Sequence, residues 1–346
     1  MIKAAIGAGL ALVLTAAGFA RATDISGVGA TSPAPLYARW AELYRPAGGG
    51  AFNYMAIGSR NGLKQIKAGT VDFGASDMPL TPQELDAAGL VQFPTAVGGV
   101  VPVINLLGLN PGELKLTGPL LAEIYLGRIT HWDDPKLVAV NPHVALPHAP
   151  IQLVHRADGS GATLAFTRYL SLKSPDWKAR VGAGLDAPWP KGAAGKGNEG
   201  VAALVRNTPG AIGYLEYAFA RESHLSAAQL PSSGGGFVTP DVRSFARAAA
   251  TADFLRAPAF GVSLIDPPGP SWPITSATYI LVRRNQTSAE TGAAVLKFFD
   301  WASRNGDAAA AQLDYVPLPG AVKAEVRRRW AAEVTGPDGK PVYVAK

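Results

Sequence analysis

Residues 58–77 read GSRNGLKQIKAGTVDFGASD, and their pattern decides the fold class. Leu63 and Ile66 are spaced for one face of a helix, and Gly69 is placed to close it. Val71 and Phe73 then alternate as a short strand running into Ala75-Ser76-Asp77. A helix handing over to a strand within twenty residues is the unit of an α/β protein, and the same alternation recurs along the chain. Leu36, Trp40, Leu43 and Tyr44 share a helical face, as do Ala162, Phe166, Tyr169 and Leu170, and later Val295, Leu296, Phe299 and Ala302. The apolar run Val100 to Leu107 fits a buried strand, and Ile274 to Val282 is strand-like. Pro/Gly-rich stretches at 188–200, 231–240 and 267–273 read as loops. The expectation is an α/β fold with mostly parallel sheets.

The chain has 346 residues, 48% hydrophobic and 17% charged, enough for a sizeable core in about two domains. It contains no cysteine, which excludes disulfides, a thiol nucleophile, thiolate-bound zinc, iron–sulfur clusters and a lipidated N-terminal cysteine. The formal charge of +6 is spread along the chain, which suits an anionic ligand better than nucleic acid. Residues 1–22 carry Lys3, an uncharged apolar stretch from Ala4 to Ala20, and Ala20-Arg21-Ala22, a small-x-small cleavage pattern. They are expected to be an export signal cut after about Ala22, with an uncleaved anchor as the alternative. No other stretch has 18 apolar residues in a row.

Three helix starts share one design: Thr31-Ser32 before Pro33, Ser59 before the Leu63 helix, and Arg156-Ala-Asp158-Gly-Ser160-Gly161-Ala162 before the Phe166 helix. Each offers unpaired backbone N–H groups, a hydroxyl and the positive end of a helix dipole, the elements of an anion site. Ordinary capping is the competing reading for each. Arg156 can grip a tetrahedral oxyanion with two parallel hydrogen bonds, and Asp158 stands close enough in sequence to hold it. The alternative for that pair is a surface ion pair worth under about 1 kcal/mol. Asp77 repels a bare anion but can accept a hydrogen bond from one that carries a proton; otherwise it is a strand-end or capping residue.

Other motifs carry less. Gly195-Lys-Gly197-Asn-Glu-Gly200 matches G-x-G-x-x-G, but Trp189-Pro190 stands upstream where a buried strand is needed. Ser160 lies outside a G-x-S-x-G elbow. The five histidines lack metal-ligand spacing, so no metal or cofactor is expected. The seven tryptophans, scattered without interleaved basic residues, read as packing.

Nine blocks running in order from Ile25 to about Pro319 closely resemble the PstS-type phosphate-binding proteins of phosphate-specific ABC transporters. They are GVGATSPAPLYARWAELY (27–44), GSRNGLKQIKAGTVDFGASDMPLT (58–81), QFPTAVGGVVPVIN (92–105), EIYLGRITHWDD (123–134), HRADGSGATLAFTRYL (155–170), WPKGAAGKGNEGVAALV (189–205), PGAIGYLEYA (209–218), WPITSATYILV (272–282) and LKFFDWA (296–302). The resemblance implies a two-lobed type II periplasmic-binding-protein fold with the ligand in the interlobe cleft. One lobe would combine 23–104 with 274–346 and the other would hold 105–273. It implies phosphate contacts from Thr31, Ser32, Ser59, Asp77, Arg156, Ser160, Gly161 and Ala162, with Asp158 steadying Arg156. It also implies a monomer exported to the periplasm that performs no chemistry, binds no nucleic acid and serves an inner-membrane ABC permease. The family usually has Phe at Ser32, Thr at Ala162 and Ser-Gly at Arg60-Asn61. Those departures keep open a divergent receptor for another oxyanion or a phosphorylated metabolite; a secreted phosphatase or hydrolase using Ser160 is the rival from another class.

Overall fold

The computed structural model describes residues 23–344, so the expected export signal lies outside the described residues. Strands β1 (Ile25–Gly29), β2 (Phe52–Ala56), β3 (Phe73–Ser76) and β4 (Leu90–Ile104) come first in the chain. They are followed by β5 (Gln152–Arg156), β6 (Ala193–Gly195), β7 (Ala211–Glu216) and a return strand, Thr275–Arg283. Their order across the sheet path is β2-β1-β3-return strand-β4-β7-β5-β6. β1 is parallel to β2 and β3, joined to them through the helices Ala34–Tyr44 and Ser59–Ala68. β5 is likewise parallel to β6 and β7. Each end of the path is therefore a small parallel α/β unit, and the two units form the lobes of an α/β fold.

β4 and the return strand knit these units together and are antiparallel to their neighbours, so the sheets are mixed where mostly parallel ones were expected. Leu90 to Gly99 pair with the return strand, whereas Val100 to Ile104 pair with β7. The strand expected at 100–107 is thus the tail of a 15-residue strand that begins ten residues earlier and ends at Ile104. Pro94 hid its first half. The structure accommodates that proline at a register shift opposite Thr278 and Tyr279, where the missing N–H disturbs the ladder least. Leu107 lies beyond the strand, fully exposed.

Gly98 and Gly99 mark the point where β4 changes lobes. A Cβ on Gly98 would stand 2.2 Å from Glu216 Oε1, and one on Gly99 2.2 Å from the Phe245 ring. Aromatic clusters fill both lobes: Tyr37, Phe52, Tyr54, Phe73, Phe298 and Phe299 in the first, and Tyr125, Phe166, Tyr214 and Trp189 in the second. Trp132, Trp177, Trp272 and Trp330 are fully buried, the packing role expected of them. On the first helix Tyr37 takes the core position and Leu43 sits on the exposed side, because Tyr37 packs between Trp40 and Phe299. The stretch 188–200 is not all loop: β6 ends at Gly195 and the helix Gly197–Asn207 starts two residues later. Among the described residues, no helix is long and apolar enough to cross a membrane.

Candidate functional site

The three helix starts converge where the lobes meet, and each uses its hydroxyls differently. Thr31 and Ser32 do not cap their helix, which begins behind Pro33 without a side-chain cap. Their backbone is pinned instead: the Tyr54 hydroxyl donates to Ala30 O at 2.6 Å and the Tyr315 hydroxyl to Ser32 O at 2.5 Å. Thr31 is left to face the opposite lobe, whereas the Ser32 hydroxyl turns to Asp77 in its own lobe. Ser59 is the first residue of its helix, behind Gly58 at φ 96°, a conformation that favours glycine. Its Oγ accepts from the Asp77 N–H at 3.2 Å. Ser160 does cap, accepting from the Thr163 N–H at 3.4 Å, which leaves the amides of Gly161 and Ala162 without an intrahelical partner.

Arg156 ends β5 and is 4% exposed. Its Nε donates to Asp158 Oδ1 at 2.8 Å and its Nη2 to Asp158 Oδ2 at 2.5 Å, a bidentate pair. This is a buried pair, so the surface alternative is set aside. Nη2 also donates to Thr31 Oγ1 across the lobes at 3.0 Å, and Asn198 Nδ2 donates to the same oxygen at 2.9 Å. Burial acts to raise the Asp158 carboxyl, but the hydrogen bonds and charge of Arg156, with the Gly197 N–H at 3.0 Å, outweigh it and hold it below the ordinary range. Gly197 explains the G-x-G-x-x-G match. The strand that precedes it, β6, is short with Ala193 and Ala194 exposed, not the buried strand such a motif needs, and the amide opening its helix is bonded to Asp158.

Asp77, at the end of β3, faces this cation from the first lobe. Its Oδ1 accepts from the Thr278 hydroxyl at 2.6 Å and its Oδ2 from the Ser32 hydroxyl at 2.9 Å. Burial lifts its carboxyl above the ordinary range, opposed by those two hydroxyls and by the Arg156 charge. Each carboxylate oxygen has two acceptor positions, so one on each remains for a further donor. A cation, a proton-accepting carboxyl and amides from two helix starts thus lie together, the groups that a protonated tetrahedral anion calls for.

The lobes meet at glycines. A Cβ on Gly161 would stand 2.3 Å from Asp77 Cβ, one on Gly58 2.5 Å from Asp158 Oδ2, and one on Gly159 2.4 Å from Arg60 Cβ. Real Cβ contacts do not come so close, so this approach of the lobes depends on those positions lacking side chains.

A PBP superfamily domain matches residues 15–305. The phosphate-binding protein PstS of Haemophilus influenzae is 49% identical over 317 residues, 91% of this chain and 95% of the relative. That of Pasteurella multocida is 46% identical over 324 residues, 93% and 94% of the two chains. The chain belongs to the PstS phosphate-binding protein family. Solved structures agree on the fold. A phosphate-binding protein from Stenotrophomonas maltophilia matches with TM-score 0.70 at 22% identity, covering 93% of this chain and 99% of that one. A high-affinity periplasmic phosphate-binding protein bound with phosphate matches with TM-score 0.71 at 23% identity, covering 90% and 95%. At such identities the likeness speaks for fold alone.

All nine residues singled out in the sequence lie at or beside the junction of the lobes in this PstS family member. Four others escaped the sequence reading. Asn198 lies inside a motif read as a poor cofactor loop, and Thr278 is one polar residue in an apolar strand. Tyr214, whose hydroxyl accepts from the Arg156 N–H at 3.2 Å, reads as core. Glu216, at the end of β7, is buried, and only an acidic residue closing an apolar run signals it. Among the described residues, no cluster of His, Cys, Asp and Glu could hold a metal ion.

Glu216 carries a prediction. Burial, and secondarily the Asp77 charge, lift its carboxyl well above the ordinary value, against opposing bonds from the Tyr217 and Gly99 amides. A carboxyl raised in the folded state contributes stability that is complete below its unfolded value of about 4.3 and is lost as pH rises through the folded value. Glu216→Gln keeps an acceptor for Gly99 and cannot ionise. Its melting temperature is expected to match the parent in acid and to fall less steeply as pH rises above about 5, as read by thermal melts.

Proposed function

We propose that this chain binds one inorganic phosphate between its lobes and delivers it to an ABC permease in the inner membrane. The observation that carries the reading is Asp77: a buried carboxyl with acceptor capacity, facing a buried arginine that Asp158 holds rigid. In this reading Arg156 supplies the positive charge, and the Thr31-Ser32, Ser59 and Ser160-Gly161-Ala162 starts donate amides and hydroxyls, with Ser32 giving its amide because its hydroxyl is bonded to Asp77. Asp77 accepts the proton of monohydrogen or dihydrogen phosphate. The first lobe comprises about 23–99 with 274–346 and the second about 100–273, so the boundary expected at 104 moves back to where β4 crosses at Gly98-Gly99. The chain works in the periplasm as a monomer after loss of residues 1–22 and does not turn over its ligand.

The 46–49% identity to proteins named for phosphate binding supports this reading over a receptor for a different anion. So does Ser32, whose hydroxyl is committed to Asp77. A hydrolytic role for Ser160 has no support, since its Oγ serves as a helix cap. The test is equilibrium dialysis of phosphate-stripped protein against labelled phosphate. One phosphate per chain at sub-micromolar concentration is expected; no retained label would overturn the reading.

Ala162 lacks the hydroxyl that the family usually places there. One added donor to a charged ligand is worth about 1.5–3 kcal/mol, so Ala162→Thr is expected to bind phosphate at least about tenfold more tightly in calorimetric titration.

A further inference from the structure

The loop between the helix Pro175–Arg180 and β6 reaches across to the first lobe at two consecutive residues. Leu185 packs its side chain on a small first-lobe cluster that includes Val28, Leu63 and Ile66. Asp186 pairs with Arg60 on the second turn-forming residue of the Ser59–Ala68 helix. The loop is also tied to the site: the Ser160 N–H donates to Leu185 O at 2.8 Å, and the Gly184 N–H donates to Thr167 Oγ1 at 3.2 Å. Beside it the Arg60 N–H donates to Gly159 O at 3.0 Å.

We propose that this loop is an interlobe latch, in which Leu185 and the Arg60–Asp186 pair set how long bound ligand is retained. The inference rests on the phosphate reading above. Both contacts join one lobe to the other, so they exist only when the lobes are together, and losing them acts on opening and release more than on encounter. Arg60 and Asp186 are both about half exposed, which keeps the ionic contribution modest and sensitive to salt. Leu185 supplies an apolar contribution that salt leaves in place.

The test measures release of labelled phosphate from the whole mature chain into excess unlabelled phosphate. At low salt, Arg60→Ala and Asp186→Asn are each expected to release about two- to fivefold faster, and the double variant no faster than either. The swap of Arg60→Asp with Asp186→Arg is expected to restore the parent rate. Leu185→Ala is expected to release about tenfold faster at low and high salt alike. Unchanged release in all three single variants overturns the latch while leaving phosphate binding intact. A slower uptake in Arg60→Ala that the swap does not restore also overturns it, since Arg60 would then act by attracting the anion. A parent chain that retains no label overturns the phosphate reading itself.

Discussion

Gly161→Ala is expected to fold like the parent chain and to lose phosphate affinity by at least about 100-fold. The new methyl would stand 2.3 Å from Asp77 Cβ, and neither atom can yield cheaply. Asp77 is fixed by three hydrogen bonds, and Gly161 opens a helix whose next six residues are buried. The lobes must part by an ångström or more, which takes Arg156 away from Thr31 and the third helix start away from Asp77. The contact lies between lobes rather than inside either core, so the ligand-free melting temperature should move little. The rise in melting temperature on adding phosphate, which measures binding to the folded state, should vanish. Thermal melts with and without phosphate read both quantities. A ligand-induced rise equal to the parent's would mean that phosphate is held without this close approach.

Asp77→Asn is expected to admit sulfate. In the parent chain a sulfate oxygen would meet the Asp77 carboxylate with no proton between them, a buried acceptor–acceptor clash costing several kcal/mol. The asparagine amide offers an N–H in place of that lone pair, so sulfate affinity should rise by roughly 100-fold or more at pH 8. Wild-type protein should approach the same behaviour in acid. Because burial raises the Asp77 carboxyl, it takes up its proton at a higher pH than an ordinary aspartate and can then donate to sulfate. Sulfate affinity is therefore expected to increase as pH falls from 8 to 5, and to be flat over that range in Asp77→Asn. Fluorescence or calorimetric titration with sulfate across that range decides it. A flat profile in the wild type would remove Asp77 from the selectivity.

How much of this was legible beforehand follows from the range of the signals. Periodicity placed the helices around Leu63, Phe166 and Phe299, because an amphipathic face is a local pattern that the core then enforces. It failed at β4, where a proline and two glycines broke a strand that tertiary pairing supports on both sides. The anion-binding design of the three helix starts could be read from Ser, Thr and Gly spacing alone, but their convergence could not. Thr31 and Arg156 are 125 positions apart and meet only through the topology of β1 and β5. The resemblance to a family supplied that convergence in advance. Asn198, Thr278 and Glu216 were missed because each depends on a partner from another element, and a lone polar residue in an apolar run has no local signature. The pairing of Arg60 with Asp186 was missed for the same reason, since the two come from separate elements far apart in the chain.

The central claim is that one buried cation and one buried carboxyl select a protonated tetrahedral anion. It is tested most directly by calorimetric titration of phosphate-stripped mature protein at pH 8, first with phosphate and then with sulfate. The account predicts one-to-one phosphate binding at sub-micromolar concentration and no heat from sulfate. Comparable binding of both anions, or none of phosphate, would contradict it.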